Sequence, residues 1–407
     1  MKIAYVHPRD YPSRESNALQ AIRMAAAFSE IAETTFFMPR LSGRKADITR
    51  HYGITGTSLK IQPMGFNFVP DRVLARIDQY FNRTVSLLLR RAPGWKDADG
   101  QKVLFIRDPK GLIFWGHQKS CYDAFKDWTF VFEGHSTIGL KPNPNGGQPG
   151  FIAESQADRQ YQEEVRSALL GFDIVLCVTQ ALATALSELA DGAVSPVVVR
   201  HASPLMRVEE PPEILFGEKI IVGYIGQVSH FKGVDVVLDA FKFLPKNFLL
   251  RLVGAHHKKG ANRDWVQQKI HEGQLEDRVE VLEPVPIGVV ADLIDGCDIV
   301  VQPASHDVLN ACFEAPLKSF DYMVRGKPIV AADVPAHHEL YRDGENALLF
   351  APSPVDLAEK ISMLVRNPEL AQRIALGAWV QSARYDYQYR AKTILNLVYD
   401  HWTNRIV

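Results

Sequence analysis

The sequence predicts an α/β fold with two Rossmann-like, parallel-sheet domains that face each other across a cleft. Short buried apolar runs alternate with segments whose apolar residues recur at helical spacing, which is typical of an open parallel sheet. A proline-rich stretch interrupts this alternation, which then restarts, so two sheets are expected rather than one. A chain of 407 residues also exceeds what one ordinary core accommodates.

The first domain is predicted to span residues 1–201. Its first strand, residues 2–6, leads through a loop into a helix with an apolar face. Further strands are expected at residues 33–38, 60–63, 103–106, 129–133, 174–178 and 196–199. A long helix at residues 71–91 carries five arginines. It is interpreted either as a core-packed helix with a solvated basic face or as one that lies on an anionic membrane surface.

Polar side chains follow the buried strands of this domain. Arg107 comes directly after one strand and His135 directly after the next. The loop after the first strand contains Arg14 and Asn17 and no glycine, so a ligand there would meet side chains rather than bare backbone. Ligands of parallel sheets bind at the carboxyl ends of the strands, so these residues are candidate ligand groups. A structural histidine and a solvated loop are the alternatives.

A linker with adjacent prolines is predicted at residues 202–219, and the second domain at residues 220–386. Strands are expected there at residues 220–225, 248–253, 279–282, 299–301 and 328–331. Helices are expected at residues 233–244, 287–296, 355–366 and 369–383, with a last helix from about residue 387. The repeated strand and helix order predicts a second parallel sheet.

Residues 305–332 form the stretch around which the second domain is predicted to be organised. Two carboxylates, Glu314 and Asp321, stand seven residues apart with Lys318 between them, and Gly326 ends the helix that follows. Helix N-termini in such folds direct backbone N–H groups towards anions at the strand ends. We therefore expect one wall of an anionic-ligand cleft here. A solvated helix face that favours carboxylates is the alternative.

The composition favours a soluble globular enzyme. The chain is 46% hydrophobic and 23% charged, with a net charge of −1, which argues against nucleic acid as a partner. The first apolar run is too short for a signal peptide, and no run approaches a membrane span. Four scattered cysteines favour reduced thiols and a cytoplasmic location. The Asp97-Ala98-Asp99 sequence is interpreted as a solvated turn rather than a metal-binding motif.

Two segments of the second half are similar to the sequence patterns of a known family. The segment YIGQVSHFKGVDVVLDAF is similar to the pattern Y-x-G-R-x4-K-G, and APLKSFDYMVRGKPIVAADVPAHHELYRDGENALLF is similar to P-x-K-x-F-E-Y-M-A-x-G-K-P followed by an E-[LI]-x-x-x-G-x-N segment. Together the two segments resemble the GT-B glycosyltransferases of family four. The resemblance covers most of residues 220–366 and is weaker over residues 1–200. It implies a GT-B fold whose last helix, residues 387–407, packs back on the first domain.

The resemblance implies a donor site for a nucleotide-diphosphate sugar in the second domain. Lys232 would neutralise the leaving diphosphate, and Asp321 would hold the ribose hydroxyls. Glu314 lies one residue from the position of the family's sugar-binding glutamate, and Gln227 stands where the family usually has arginine. Further residues implied in donor binding are Gly226, Lys318 and Pro284, with Arg200 or His201 as other possible cations, and His135 at the sugar or phosphates. Glu339 would support the next loop.

The resemblance also implies retaining transfer of a hexose-type sugar without a metal cofactor. Lys232, His135 and Glu314 are the implied catalytic residues. Arg14, Asn17 and Arg107 are the implied acceptor-side residues. The acceptor is expected to be a hydroxyl of a glycan or lipid-linked precursor of a surface polysaccharide, with peripheral contact to the inner membrane surface as a further expectation. A catalytically weak homologue that binds a nucleotide or a partner, and a GT-B sugar-nucleotide epimerase, are the alternatives.

Overall fold

The computed structural model describes residues 1–13, 15–54, 56–65, 77–96, 100–135, 139–143, 149–255, 262–304 and 307–406. The chain divides into two compact units, one made of Met1–Arg200 with Tyr387–Val407 and the other of His201–Asp386. Residues 202–219, predicted as a linker, are therefore part of the second unit. Of the long basic helix predicted at residues 71–91, Ile77–Arg91 is described and residues 71–76 lie outside the described residues.

The described residues of the first unit contain one parallel sheet of seven strands in the order β3-β2-β1-β4-β5-β6-β7. Its strands are β1 (Lys2–Val6), β2 (Glu33–Met38), β3 (Lys60–Pro63), β4 (Lys102–Ile106), β5 (Trp128–Gly134), β6 (Ile174–Cys177) and β7 (Val197–Val198). The central strands are buried on both faces, which explains their near-continuous apolar sequences.

Helices cover this sheet. They are α1 (Ser16–Ser29), α2 (Lys45–His51), α3 (Ile77–Arg91), α4 (Pro93–Lys96), α5 (Pro109–Cys121), α6 (Gln156–Leu169), α7 (Gln180–Leu189) and, from the end of the chain, α16 (Tyr387–Ile406). Helix α16 contributes Ala391, Ile394 and Val398 to the same apolar core as Tyr5 and Phe105. The last helix is thus a structural part of the first unit. Helices α5 and α7 were not predicted from the sequence.

The described residues of the second unit contain a parallel sheet of six strands in the order β10-β9-β8-β11-β12-β13. Its strands are β8 (Ile220–Ile225), β9 (Phe248–Val253), β10 (Val279–Leu282), β11 (Ile299–Gln302), β12 (Ile329–Ala332) and β13 (Leu348–Phe350). Its helices are α8 (Val234–Ala240), α9 (Asn262–Glu272), α10 (Ile287–Asp295), α11 (Val308–Phe313), α12 (Leu317–Val324), α13 (Pro335–His338), α14 (Pro354–Arg366) and α15 (Pro368–Gln381). Two parallel sheets covered by helices confirm the predicted α/β fold class.

The stretch from residue 305 to 332 contains two helices where the sequence predicted one. The short helix α11 comes before α12, and Asp307 caps it by accepting a hydrogen bond from the Asn310 backbone N–H at 2.9 Å. Glu314 is the C-cap residue directly after α11, whereas Asp321 lies within α12. The two carboxylates therefore do not share one helix. Residues 305 and 306 lie outside the described residues.

Candidate functional site

A small recess, partly open to solvent, lies in the second unit at the carboxyl end of strand β11. Its wall includes the turn before α8, the ends of α11 and α12, and the short helix α13 after β12. The polar residues that line it are Lys232, Gln302, Asn310, Glu314, Lys318 and His337. The carboxyl end of a parallel sheet is where ligands of such folds bind, so this recess is the candidate site.

Lys232 and Glu314 form an ion pair inside this recess. The distance from Lys232 Nζ to Glu314 Oε1 is 2.5 Å, and the two side chains are 25% and 31% exposed. Both are among the predicted catalytic residues. Their partial exposure leaves the pair within reach of a ligand, and an anion that replaced the carboxylate would meet the lysine directly.

The turn that positions Lys232 requires glycine. Gly233, directly before α8, has φ = +69°, and a Cβ atom there would lie 2.2 Å from the carbonyl oxygen of Ala304. The turn therefore packs against the loop after β11 at backbone distance. This close approach places Lys232 beside the carboxyl end of β11.

Lys318 supplies a second cation in the recess. Its Nζ donates a hydrogen bond to the Tyr224 hydroxyl at 3.0 Å and lies 4.4 Å from the centre of that ring. Burial lowers the pKa of Lys318 to about 8, against an opposing effect of Glu314. Gly226 makes room for this side chain, since a Cβ atom there would lie 2.9 Å from Lys318 Cε. The recess therefore contains two lysine side chains and one carboxylate.

Three other predicted donor residues lie in or near the second sheet. Asp321 accepts a hydrogen bond from the Ser203 hydroxyl at 2.5 Å. Gln227 has an exposed side chain, and its backbone carbonyl accepts a hydrogen bond from the Tyr224 hydroxyl at 2.7 Å. Pro284 is exposed on the loop between β10 and α10. None of these three is among the residues that line the recess.

Gln302 and His337 line the recess and were not predicted from the sequence. Gln302 ends β11 and is 3% exposed, and His337 is 3% exposed on α13. The sequence feature that could have indicated Gln302 as a site residue is its polar side chain at the end of an apolar strand. Nothing in the sequence indicates His337 as a site residue, because adjacent histidines such as His337 and His338 are usually solvated when they lie in a loop.

In the first unit, the predicted residue Arg107 is buried rather than open to an acceptor. Its Nε lies 3.1 Å from Glu133 Oε1, and Arg390 Nη2 on α16 donates a hydrogen bond to Glu133 Oε2 at 2.8 Å. Arg390 Nε also donates to the Arg200 carbonyl at 2.7 Å. Burial alone would raise the pKa of Glu133, but Arg390 and Arg107 outweigh it and hold that pKa below its ordinary value.

His135 directly follows β5 and lies two residues after Glu133 in the sequence. Burial, together with the charge of Arg107, lowers the pKa of His135 to about 3, so the ring is neutral at physiological pH. His7 at the end of β1 is fully buried, and Tyr11 Oη lies 2.7 Å from its Nδ1. Asn17, in the first turn of α1, interacts with the His7 side chain. Arg14 lies outside the described residues.

No group of three or more histidine, cysteine, aspartate or glutamate side chains that could hold a metal ion occurs among the described residues. The Asp97-Ala98-Asp99 turn lies outside them. Within the described part of the chain, no helix is long and apolar enough to cross a membrane.

The fold matches solved glycosyltransferase structures over nearly its whole length. Anabaena HepE, solved with UDP and glucose, superposes with a TM-score of 0.71 at 18% identity, covering 98% of this chain and all of that one. Sucrose-phosphate synthase from Thermosynechococcus elongatus superposes with a TM-score of 0.75 at 16% identity, covering 99% of each chain. The protein therefore has the GT-B fold.

The sequence of the second unit is similar to a known family of proteins. Residues 207–378 match the family model described as glycosyl transferases group 1. The D-inositol 3-phosphate glycosyltransferase of Xylanimonas cellulosilytica is 28% identical over 187 residues, which cover 46% of this chain and 43% of that protein. The chain thus spans less than half the length of this curated relative.

Proposed function

We propose that this protein is a retaining glycosyltransferase that moves a hexose-type sugar from a nucleotide-diphosphate donor to a hydroxyl of a glycan or lipid-linked acceptor. The observation that carries the proposal is the placement of Lys232 and Lys318 in one recess at the carboxyl end of β11. Two cations in a partly buried recess suit a diphosphate, which is the leaving group of such a donor. The solved structure of HepE with UDP and glucose supports the same class of ligand.

In the proposed reaction, the donor diphosphate takes the place of Glu314 at Lys232. The acceptor hydroxyl oxygen bonds to the anomeric carbon on the face from which the diphosphate departs, and the bond from that carbon to the diphosphate breaks. The hydroxyl proton passes to the leaving phosphate oxygen, so no protein nucleophile is required. Lys232 and Lys318 stabilise the charge that develops on the diphosphate.

Glu314 and His135 have separate roles in this proposal. Once released from Lys232, the Glu314 carboxylate is free to accept a hydrogen bond from a hydroxyl of the transferred sugar. His135 is neutral at physiological pH because its pKa is about 3, so it would bind the sugar as a hydrogen-bond partner rather than as a cation. Asp321 would hold the ribose hydroxyls after giving up its bond to Ser203. No divalent metal is required.

The test is calorimetric titration of the protein with UDP, GDP and ADP without added metal, beside the variants Lys232→Ala and Lys246→Ala. Lys246 is an exposed lysine of the same unit and serves as the control. One nucleotide should bind, and its affinity should weaken by about 1.5–3 kcal/mol in Lys232→Ala, the scale of a lost charge-assisted hydrogen bond. The affinity of the Lys246→Ala variant for the same nucleotide should equal that of the wild type.

Turnover separates the transferase from a homologue that only binds. Gln227 in place of an arginine removes one cation from the expected set, which is the observation in favour of the non-catalytic alternative. Incubation with the nucleotide sugar of the matching base and a mixture of lipid-linked and free glycans should yield a glycosylated product. Nucleotide binding without product or donor consumption would favour the binding protein, and hexose interconversion without an acceptor would favour the epimerase.

The proposal includes two further points. The transferase acts in the synthesis of a surface polysaccharide, and it contacts the cytoplasmic face of the membrane. Helix α3 buries Phe81, Val85 and Leu89 and exposes Arg83 and Arg91. Such a basic face suits anionic lipid headgroups. Co-sedimentation with phosphatidylglycerol vesicles should decrease when both arginines are replaced by glutamine. Equal sedimentation of the variant and the wild type would remove the membrane contact and leave the transferase proposal unaffected.

A further inference from the structure

We infer that Gln302 and His337 determine which sugar the recess accepts, because each presents a hydrogen-bond acceptor that a hydroxyl of the donor sugar can satisfy. The inference rests on the proposed function and extends it from the diphosphate to the sugar. It concerns two residues that the described strands and helices hold at the wall of the recess. Neither residue contacts the diphosphate-binding lysines through a hydrogen bond given by the structure.

Gln302 carries a buried oxygen that lacks a partner. The side chain is 3% exposed, and its Nε2 donates a hydrogen bond to the Pro303 carbonyl at 3.3 Å. No described residue donates a hydrogen bond to Oε1, although this atom is shielded from solvent. A buried acceptor without a partner costs free energy, so a ligand hydroxyl that donates to it would bind favourably.

His337 presents its second nitrogen as an acceptor. Its Nδ1 lies 2.7 Å from the Ala332 carbonyl oxygen, which only accepts hydrogen bonds, so Nδ1 carries the proton. Nε2 is then an unprotonated acceptor. Burial lowers the pKa of His337 to about 4, so this tautomer persists at neutral pH. The ring is held further by an edge contact with Tyr341.

The two acceptors complement the charge in the rest of the recess. Lys232 and Lys318 favour an anion, whereas Gln302 and His337 favour groups that donate hydrogen bonds. A nucleotide-diphosphate sugar offers both the anionic diphosphate and the hydroxyl donors of the transferred sugar. A nucleoside diphosphate lacks the hydroxyls of that sugar and offers the lysines only its diphosphate. Changes at Gln302 or His337 should therefore affect the binding of the sugar nucleotide and not that of the nucleotide.

The experiment compares the variants Gln302→Leu and His337→Phe with the wild type by calorimetry. Each protein is titrated with the nucleoside diphosphate that binds and with the glucose, galactose and N-acetylglucosamine derivatives of that nucleotide. His338→Phe, an exposed histidine on the same short helix, is the matched control, and Gln302→Glu tests whether an acceptor at this position restores binding.

We expect Gln302→Leu and His337→Phe to weaken binding of the preferred sugar nucleotide by roughly threefold to tenfold and to reduce its preference over the other sugars. Nucleoside diphosphate affinity should stay within about twofold of the wild type, which also shows that the variants are folded. Equal weakening of both ligands, or no change in either, overturns the inference and leaves the proposed function standing. Failure of the wild type to bind any nucleotide overturns both.

Discussion

Lys232 and Glu314 neutralise each other in the recess, with Nζ and Oε1 only 2.5 Å apart. A diphosphate must therefore compete with this carboxylate for the lysine. We expect Glu314→Gln to strengthen binding of the free nucleoside diphosphate by about twofold to fivefold, the scale of a partly exposed ion pair. The same change should lower the rate of sugar transfer, because the sugar loses a charged acceptor. Calorimetry and product formation measure the two effects.

Unchanged nucleotide affinity in Glu314→Gln would mean that the ion pair does not compete with the diphosphate. Glu345 is an exposed glutamate of the same unit, and Glu345→Gln is the control variant for both measurements.

Nucleotide affinity should depend on pH through Lys318. The pKa of this lysine is lowered to about 8 by burial, so the cation loses its proton as the pH rises through that value. We expect nucleoside diphosphate affinity to decrease by about tenfold from pH 7 to pH 9.5, the scale of a lost charge-assisted bond. Lys318→Arg should remove most of this dependence, since arginine stays protonated. A parallel decrease in the arginine variant would exclude Lys318 as its cause.

Asp321 offers a way to test ribose recognition separately from phosphate recognition. The carboxylate accepts a hydrogen bond from Ser203 and is not part of the recess wall. If it binds ribose, Asp321→Asn should weaken nucleoside diphosphate binding by about 1–2 kcal/mol and leave inorganic pyrophosphate binding unchanged. Weakening of both ligands would instead indicate that Asp321 holds α12 in place through Ser203.

Gly233 should not tolerate a side chain. Alanine at this position would require φ near +69° and would bring its Cβ to 2.2 Å from the Ala304 carbonyl oxygen. We expect Gly233→Ala to destabilise the protein by about 1–3 kcal/mol and to weaken nucleotide binding, because Lys232 moves with the turn. Gly288→Ala is the control, because the added Cβ in helix α10 would have no described atom within 4 Å apart from its chain neighbours and the backbone of its own helix. This variant should have an unchanged or slightly raised melting temperature. Equal melting temperatures for Gly233→Ala and the wild type would contradict the prediction.

Glu133 should contribute to the stability of the first unit in a pH-dependent way. Its pKa is below the ordinary value when folded, so its contribution is present above the unfolded pKa of about 4.5 and is lost as the pH falls through the folded value. Glu133→Gln leaves Arg107 and Arg390 buried without a counter-charge, and we expect a loss of about 3–5 kcal/mol at pH 7. Thermal unfolding of Glu133→Gln measures this loss of stability. The control is Glu163→Gln, because Glu163 is an exposed glutamate on α6. Equal melting of the two variants would mean that the ion network is not stabilising.

The sequence was sufficient for every strand of the two sheets except β13, because the predicted strands are short, apolar and regularly separated. It was less informative where tertiary contacts decide the outcome. Arg107 was predicted to face an acceptor, yet the parallel register of β4 and β5 places it beside Glu133, and a helix almost 260 residues later along the chain adds Arg390. No local pattern can reveal a partner at that separation.

Within the candidate site, the sequence predicted the charged residues and missed the neutral ones. Lys232, Glu314 and Lys318 were recognisable from their positions in motifs, and all three line the recess. Gln302 and His337 become significant only through their burial and through the Ala332 carbonyl that fixes the histidine tautomer. Whether a neutral polar side chain is buried depends on which parts of the chain pack over it. The local sequence around that residue does not determine this packing.

Helix α16 has a consequence for how the chain is made. The core of the first unit contains Ala391, Ile394 and Val398, so the whole second unit, His201–Asp386, is synthesised before the residues that complete that core exist. The second unit is contiguous and can close its core as soon as residue 386 has left the ribosome. The part of the protein that is translated first is thus the last to finish folding, and a released chain truncated after residue 386 should contain a protease-resistant second unit beside a protease-sensitive first one.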